Sequence, residues 1–276
     1  MKILIKLISA IVLLLVVTVV AFNVWGRLTL GTITLDPNAS RDNSANRVVL
    51  VSGATGSVGD GLLKAAIEDP EVESVHVISR RSSPRIDAGV SSGKVELHLL
   101  KDFTDYSSLA GVFPQVNTVL WALGTSSLNV DDATFARIHV DFPLAFVKAW
   151  LAARSEGPMS FHYITGMGTD PEGSQQWARD KGRAELEIAE LAAATQMRSF
   201  AYRSAMVRRT SERATRAEYI MESLLKPGLL VITAKDLGGA MLEIAARTAE
   251  LPNGTIIDNA DSILYAEAYK AHRGQL

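Results

Sequence analysis

The chain has 276 residues, with 28 Lys and Arg against 30 Asp and Glu and a formal charge of −2. That near-balance gives no sign of a nucleic-acid or acidic-surface partner. Cysteine is absent, which excludes a disulfide framework, thiolate zinc sites and a cysteine nucleophile. The histidines His76, His98, His139, His162 and His272 lack the i, i+4 spacing of a ligand pair, so no metal site is expected.

From Leu7 to Phe22 the chain carries no charge, and Asn23-Val24-Trp25 brings the run close to the length that spans a bilayer, about 20 residues. Lys2 and Lys6 precede the run, and Trp25 and Arg27 follow it, as interfacial anchors would. A cleaved signal peptide is the rival reading. Phe22, Val24 and Trp25 fill the window where small cleavage-site residues belong, so a retained anchor over residues 1–27 is preferred. A buried core helix is the third reading. The flanking charges do not fix the orientation. Residues 28–45, with the turn-rich run Asp36 to Ser44, read as a linker.

Residues 46–276 read as one α/β unit. Val48 to Ser52 is a short apolar strand, and Leu62 to Ile67 has helical character. Between them stands Gly53-Ala54-Thr55-Gly56-Ser57-Val58-Gly59. A glycine turn between a buried strand and a helix permits the sharp reversal, lets backbone approach a pyrophosphate and directs free N–H groups at it. Further strands are predicted at 74–78, 95–100, 117–122, 160–164 and 197–202. Helices are predicted at about 131–154, interrupted by Pro143, and at 175–194. This alternation specifies a doubly wound parallel sheet of Rossmann type. The tail, from about 205 to 276, contains helical stretches near 214–225, 234–250 and 262–271 and an apolar run at 255–257. It is expected to cover the carboxyl end of the sheet as a small substrate region.

The second strand ends in Ser79-Arg80-Arg81. An acidic residue there would meet the ribose hydroxyl of NAD, whereas arginine suits the 2′-phosphate of NADP. The pair therefore points to NADP(H), with NAD the weaker candidate and a solvated basic turn the plain alternative.

Together, the glycine turn, Ile78-Ser79-Arg80-Arg81, Asp102-Phe103, Leu123-Gly124-Thr125 and Lys181-Gly182 resemble the atypical short-chain dehydrogenase/reductases. The nearest branch is the Tat-interacting-protein type, also called oxidoreductase-like. The resemblance runs from about Asn46 to Leu276. It implies that Gly53, Thr55, Gly56, Ser57, Val58 and Gly59 bind the cofactor phosphates, with Arg80 and Arg81 at the adenosine ribose. Asp102 would meet the adenine amino group, although a turn-former explains it equally simply. Ala122, Leu123 and Gly124 would pass beside the nicotinamide ribose. Arg203 and Ser204 would line the carboxamide, where the family usually has Arg-Pro-Gly.

These enzymes carry a tyrosine and a lysine four residues apart on one helical face, with a serine or threonine at the end of the fifth strand. Thr165 and Lys181 match two of the three positions, but Trp177 stands where the tyrosine belongs. An indole N–H is a donor and no useful acid or base. Tyr163, His139 and His162 are the nearest substitutes, each with a structural role as the simpler reading. Two functions follow. The preferred one is a membrane-anchored, cytosol-facing NADPH-dependent oxidoreductase on a hydrophobic carbonyl substrate. The other is a non-catalytic NADPH-binding sensor or scaffold for an unidentified protein partner.

Overall fold

A computed structural model describes residues 2–274. Met1 and the last two positions of the 46–276 unit lie outside the described residues. In chain order the elements are α1 (Lys2–Thr29), β1 (Val48–Ser52), α2 (Gly59–Glu68), β2 (Ser74–Ser79), α3 (Pro84–Ser91), β3 (Val95–Leu99) and β4 (Thr118–Trp121). There follow α4 (Asp132–Ala136), α5 (Phe142–Ala153), β5 (Met159–Ile164), α6 (Gln176–Ala193), β6 (Met197–Arg203), β7 (Met206–Arg208) and α7 (Arg216–Leu225). The tail holds β8 (Val231–Thr233), α8 (Ala234–Ala246), β9 (Thr255–Asp258) and α9 (Asn259–Arg273).

Seven strands form one sheet in the order β3-β2-β1-β4-β5-β6-β9. Every neighbouring pair in it is parallel. The order reverses between β1 and β4, and such a switch point opens a crevice at the strands' carboxyl ends. Strand alternation sends Val49, Val51 and Leu120 to a core shared with Leu62, Leu237 and Tyr265. Leu50, Val119 and Trp121 go to the opposite core with Phe146, Trp150 and Ile188. Burial on both faces explains why β1 and β4 read as unbroken apolar runs.

Several element bounds differ from expectation. The helix expected over 131–154 is α4, then a π-helical turn at Arg137–Asp141, then α5 with Pro143 in its first turn. A proline is tolerated there because its missing N–H needs no partner at a helix start. α8 ends at Ala246 rather than 250, α9 begins at Asn259 rather than 262, and the run at 255–257 is the edge strand β9. The small parallel pair β7–β8 was not foreseen.

The segment expected as a linker is bonded along its length. Gly31 N–H donates to Asp258 Oδ2 at 2.7 Å, Ile33 N–H to Asp261 Oδ1 at 3.0 Å and Asp36 N–H to Glu250 Oε1 at 2.7 Å. Arg41 pairs with the fully buried Glu243 and with Glu71 at 3.2 Å. It is a strap across α8 and α9 rather than a free tether. α1, by contrast, has its apolar side chains exposed along its length. It is long and apolar enough to cross a membrane.

Candidate active site

The glycine turn closes where Gly56 N–H donates to Gly53 O at 2.9 Å. Gly53 has φ +77°, and a Cβ there would overlap the Ala122 carbonyl, so the loops after β1 and β4 touch backbone to backbone. A Cβ on Gly59 would overlap Gly53 O, which seats the start of α2 against the turn. Val58 occupies the N-cap with no side-chain hydrogen bond. No side chain caps the start of α2, whose Asp60 and Gly61 N–H groups donate to Gly56 O at 3.2 Å and Val58 O at 2.9 Å, beside exposed Gly56 and Ser57 and half-buried Thr55.

Next to it lies a cavity of 390 Å³ lined by Gly53, Thr55, Ser79, Arg80, Arg81, Phe103 and Leu123. Both arginines are exposed at its edge. Asp102 lies outside that lining. Its carboxylate accepts from Thr104 N–H at 2.9 Å and Thr104 Oγ1 at 2.7 Å, and these bonds hold its pKa below the ordinary value. Phe103 presents its ring to the cavity instead.

The tail was expected to cover the carboxyl end of the sheet, but the bonds that fasten it here were not foreseen. Asp60 forms a two-point pair with Arg85 at 3.0 and 3.2 Å and accepts from Thr210 Oγ1 at 2.8 Å. Arg213 donates to Gly56 O at 3.0 Å. The loop after β7 is thereby fastened to the glycine turn. No local spacing signals this, because the partners are about 150 positions apart in sequence.

At the other end of the crevice, Thr165 closes β5 and is buried. Its Oγ1 donates to Glu185 Oε1 at 2.6 Å. Glu185 also binds the Arg203 guanidinium, at 2.6 Å from Nη2 and 3.2 Å from Nε. Arg203 is thus committed to a carboxylate of the chain. Lys181 Nζ donates to the Thr165 carbonyl. Burial lowers the Lys181 pKa to about 8, against an opposing pull from Glu185. Trp177, half-buried one turn before Lys181, lies over Gly168, where a Cβ would stand 3.2 Å from indole Cη2. Glu185, absent from the sequence reading, could have been found as the next position on the Trp177–Lys181 face of α6.

The three substitute side chains separate cleanly. Tyr163 is buried and its hydroxyl donates to His139 O at 2.6 Å. His162 is buried between Tyr202 OH at 2.8 Å and Ser160 Oγ at 3.0 Å. Both are structural. His139 packs against the loop after β4: a Cβ on Gly124 would come within 2.7 Å of its Cε1, and Nε2 lies 3.1 Å from Thr125 N. Burial, with a smaller contribution from the Lys181 charge, lowers its pKa to about 4. His139 Nδ1 and Ser204 Oγ are buried polar atoms without a protein partner at this end of the crevice.

The expectation that no histidines approach ligand geometry needs one correction. His76 Nδ1 lies 3.0 Å from His98 Nε2, and each lies 3.6 Å from a Glu96 oxygen. The grouping is made across β2 and β3, where His76 is in register with Glu96, so spacing along the chain cannot reveal it. Burial lowers both histidine pKa values, which favours their neutral forms.

No family model matches the chain. Among solved structures, it superposes on an oxidoreductase of the short-chain dehydrogenase/reductase family from Burkholderia thailandensis with a TM-score of 0.56. That match has 16% identity and covers 83% of this chain and 98% of the other. A 3-oxoacyl-[acyl-carrier protein] reductase from Brucella melitensis in complex with NAD gives a TM-score of 0.56 at 17% identity, covering 79% and 97%.

The chain has the short-chain dehydrogenase/reductase fold.

An Agrobacterium tumefaciens protein described as a 2-deoxy-D-gluconate 3-dehydrogenase, with NADP bound, gives 0.55 at 18% identity, covering 83% and 99%. In sequence, Protein FMP52, mitochondrial, from Chaetomium globosum is 31% identical over 122 residues, 44% of this chain. Leucinostatins biosynthesis cluster protein T of Purpureocillium lilacinum is 24% identical over 144 residues, 52% of this chain. The matches span about half the length of these curated relatives, 49% and 51%. With this fold, the crevice at the carboxyl ends of β1, β4, β5 and β6 is where solved short-chain dehydrogenase/reductases hold a nicotinamide cofactor.

Proposed function

We propose that the protein is a membrane-anchored NADPH-dependent oxidoreductase acting on a hydrophobic carbonyl compound. One observation carries the reading: a glycine turn without a side-chain cap follows β1, and a half-buried lysine of lowered pKa stands at the Thr165 carbonyl just after β5, both at the carboxyl end of the same parallel sheet. The residues fit a dinucleotide. The first turn of α2 would face the pyrophosphate, Arg80 and Arg81 the 2′-phosphate, and Lys181 the nicotinamide ribose, with Ser204 Oγ and His139 Nδ1 as unmet polar atoms nearby.

When bound, the nicotinamide supplies the hydride. The chain must supply a proton and polarise the carbonyl. Thr165 Oγ1 already donates to Glu185, so its proton is engaged. Lys181 Nζ, with a pKa near 8, is an acid of useful strength close to neutral pH. It takes the part that the absent tyrosine would otherwise play. α1 motivates the substrate class, because a tethered reductase meets membrane-dissolved compounds at high local concentration. The body faces an NADPH-containing compartment, and the name of the Chaetomium relative makes the mitochondrial surface the first membrane to test.

A binding-only sensor or scaffold is the second reading, favoured by Trp177 and by the closed Thr165–Glu185–Arg203 network. The test titrates the full chain in vesicles with NADPH and NADH, then follows NADPH oxidation with quinones, aldehydes and keto-lipids. Lys181→Ala lowers both affinity and turnover in an oxidoreductase. A protein that binds NADPH and oxidises it with no member of the panel is the scaffold.

A further inference from the structure

α7 is built inside out. None of its residues is buried, and its two half-buried carboxylates, Glu218 and Glu222, face the protein. Glu218 pairs with Arg209 at 2.9 Å, Glu222 pairs with Arg208, and the Tyr219 ring lies 4.8 Å from the Arg208 guanidinium. The opposite face carries Ile220, Met221 and Leu224, which are 61%, 43% and 42% exposed. With Ala217 they follow the i, i+3, i+4, i+7 spacing of an apolar helical stripe. In water such a stripe turns inward, so this face lacks its solvent.

The position of α7 identifies that solvent. Asn23 Nδ2, near the end of the apolar run of α1, donates to Leu224 O at 2.8 Å, and Arg27 Nε donates to Pro227 O at 2.5 Å. Gly26 and Gly228 meet with no room for a Cβ on either. The carboxyl end of α7 therefore stands level with the last apolar turn of α1, at the boundary of hydrocarbon and headgroups. Exposed Arg27, Arg216 and Lys226 flank the stripe, where lipid phosphates would lie.

We propose that α7 is a second membrane contact, lying in the plane of the bilayer interface with Ile220, Met221 and Leu224 in the acyl region. This rests on the reading of α1 as a membrane-spanning helix. The loop that precedes α7 is the one fastened to the glycine turn through Thr210 and Arg213. The mouth of the crevice is thereby held at the lipid surface, and a lipidic substrate enters beside α7 without crossing water.

The absence of native cysteine makes single-site labelling of the full chain unambiguous. Ile220→Cys, Leu14→Cys and Glu190→Cys, each exposed, are labelled with an environment-sensitive fluorophore in phosphatidylcholine–phosphatidylglycerol vesicles. Lipids brominated at shallow or deep chain positions serve as quenchers. The expected result is quenching by at least about half at position 220 with shallow bromines, deep quenching at position 14 and none at position 190. Quenching at position 14 without quenching at 220 overturns the proposal and leaves the anchor standing. An unquenched label at 14 removes the anchor reading and the proposal with it. If Ile220→Cys forms a disulfide with a second copy and is not quenched, the face is a dimer contact and the proposal fails.

Discussion

The two ends of the crevice are built on different physics. At the end proposed for the phosphates the groups on offer are helix-start backbone and exposed arginines, shaped by Gly53 and Gly59, where a Cβ would overlap backbone. At the end proposed for the nicotinamide they are buried and half-buried side chains locked to one another: Lys181 on Thr165, Thr165 on Glu185, Glu185 on Arg203. Backbone geometry is insensitive to side-chain identity, so the phosphate end keeps its form as the rest of the sequence changes. A buried network changes its chemistry with one substitution, and on the proposed reading Trp177, one turn before Lys181, is such a change. Binding capacity therefore survives more readily than proton transfer does.

The comparison can be broken most forcefully at Gly53. Gly53→Val puts side-chain atoms into the Ala122–Leu123 backbone, at a cost of about 3–5 kcal/mol, and abolishes NADPH binding. Denaturant unfolding and a binding titration read the two effects, and an unshifted midpoint refutes the close-contact account. Next in size is a pH effect to which His139 contributes, beside His76, His98 and His162, whose pKa values burial also lowers. His139 is held below its unfolded pKa of about 6.5, so the unfolded chain takes up the proton first. Its contribution to stability is whole above pH 6.5 and is lost as pH falls toward 4, amounting to roughly 3 kcal/mol. His139→Gln should flatten that slope, whatever it does to the absolute stability; an unchanged slope between pH 6.5 and 4 places the proton uptake elsewhere.

Smaller again is the loss of cofactor preference. Replacing Arg80 and Arg81 by alanine should weaken NADPH binding about tenfold and leave NADH binding unchanged. Equal affinities in the unmodified protein would remove the 2′-phosphate assignment. The smallest effect is expected at Trp177. Trp177→Tyr places a phenol one turn before Lys181, and turnover with carbonyl substrates should rise about a few-fold. No gain would mean that the Glu185 network, rather than the missing phenol, limits the chemistry.

Much of this was legible because it is local. The glycine turn sits between a strand and a helix, and Trp177 and Lys181 share a helix, so spacing alone assigns their neighbourhoods. Glu185 continues that face and was within reach of the same argument. Arg213 on Gly56, Arg203 on Glu185 and the His76–Glu96–His98 grouping were not, because each is made between elements whose register the linear order does not contain. The bonding of residues 28–45 was hidden for a related reason. Polar, turn-rich composition marks the segment but cannot show that its amides find Asp258 at the end of β9, Asp261 on α9 and Glu250 in the turn after α8.

That strap has a consequence for how the molecule is made. Ile33 is bonded to Asp261, 228 positions later, so its partner is synthesised long after it. Non-local closures of this kind form late, after the βα units have assembled from their own neighbours. The first helix has by then left the ribosome, while the clasp that fixes it to the body still waits for α9. Pulse-labelling hydrogen exchange during refolding should find the amides of Gly31 and Ile33 among the last protected; early protection would contradict this order. Arrival of α9, and not collapse of the sheet, is the event that closes the strap.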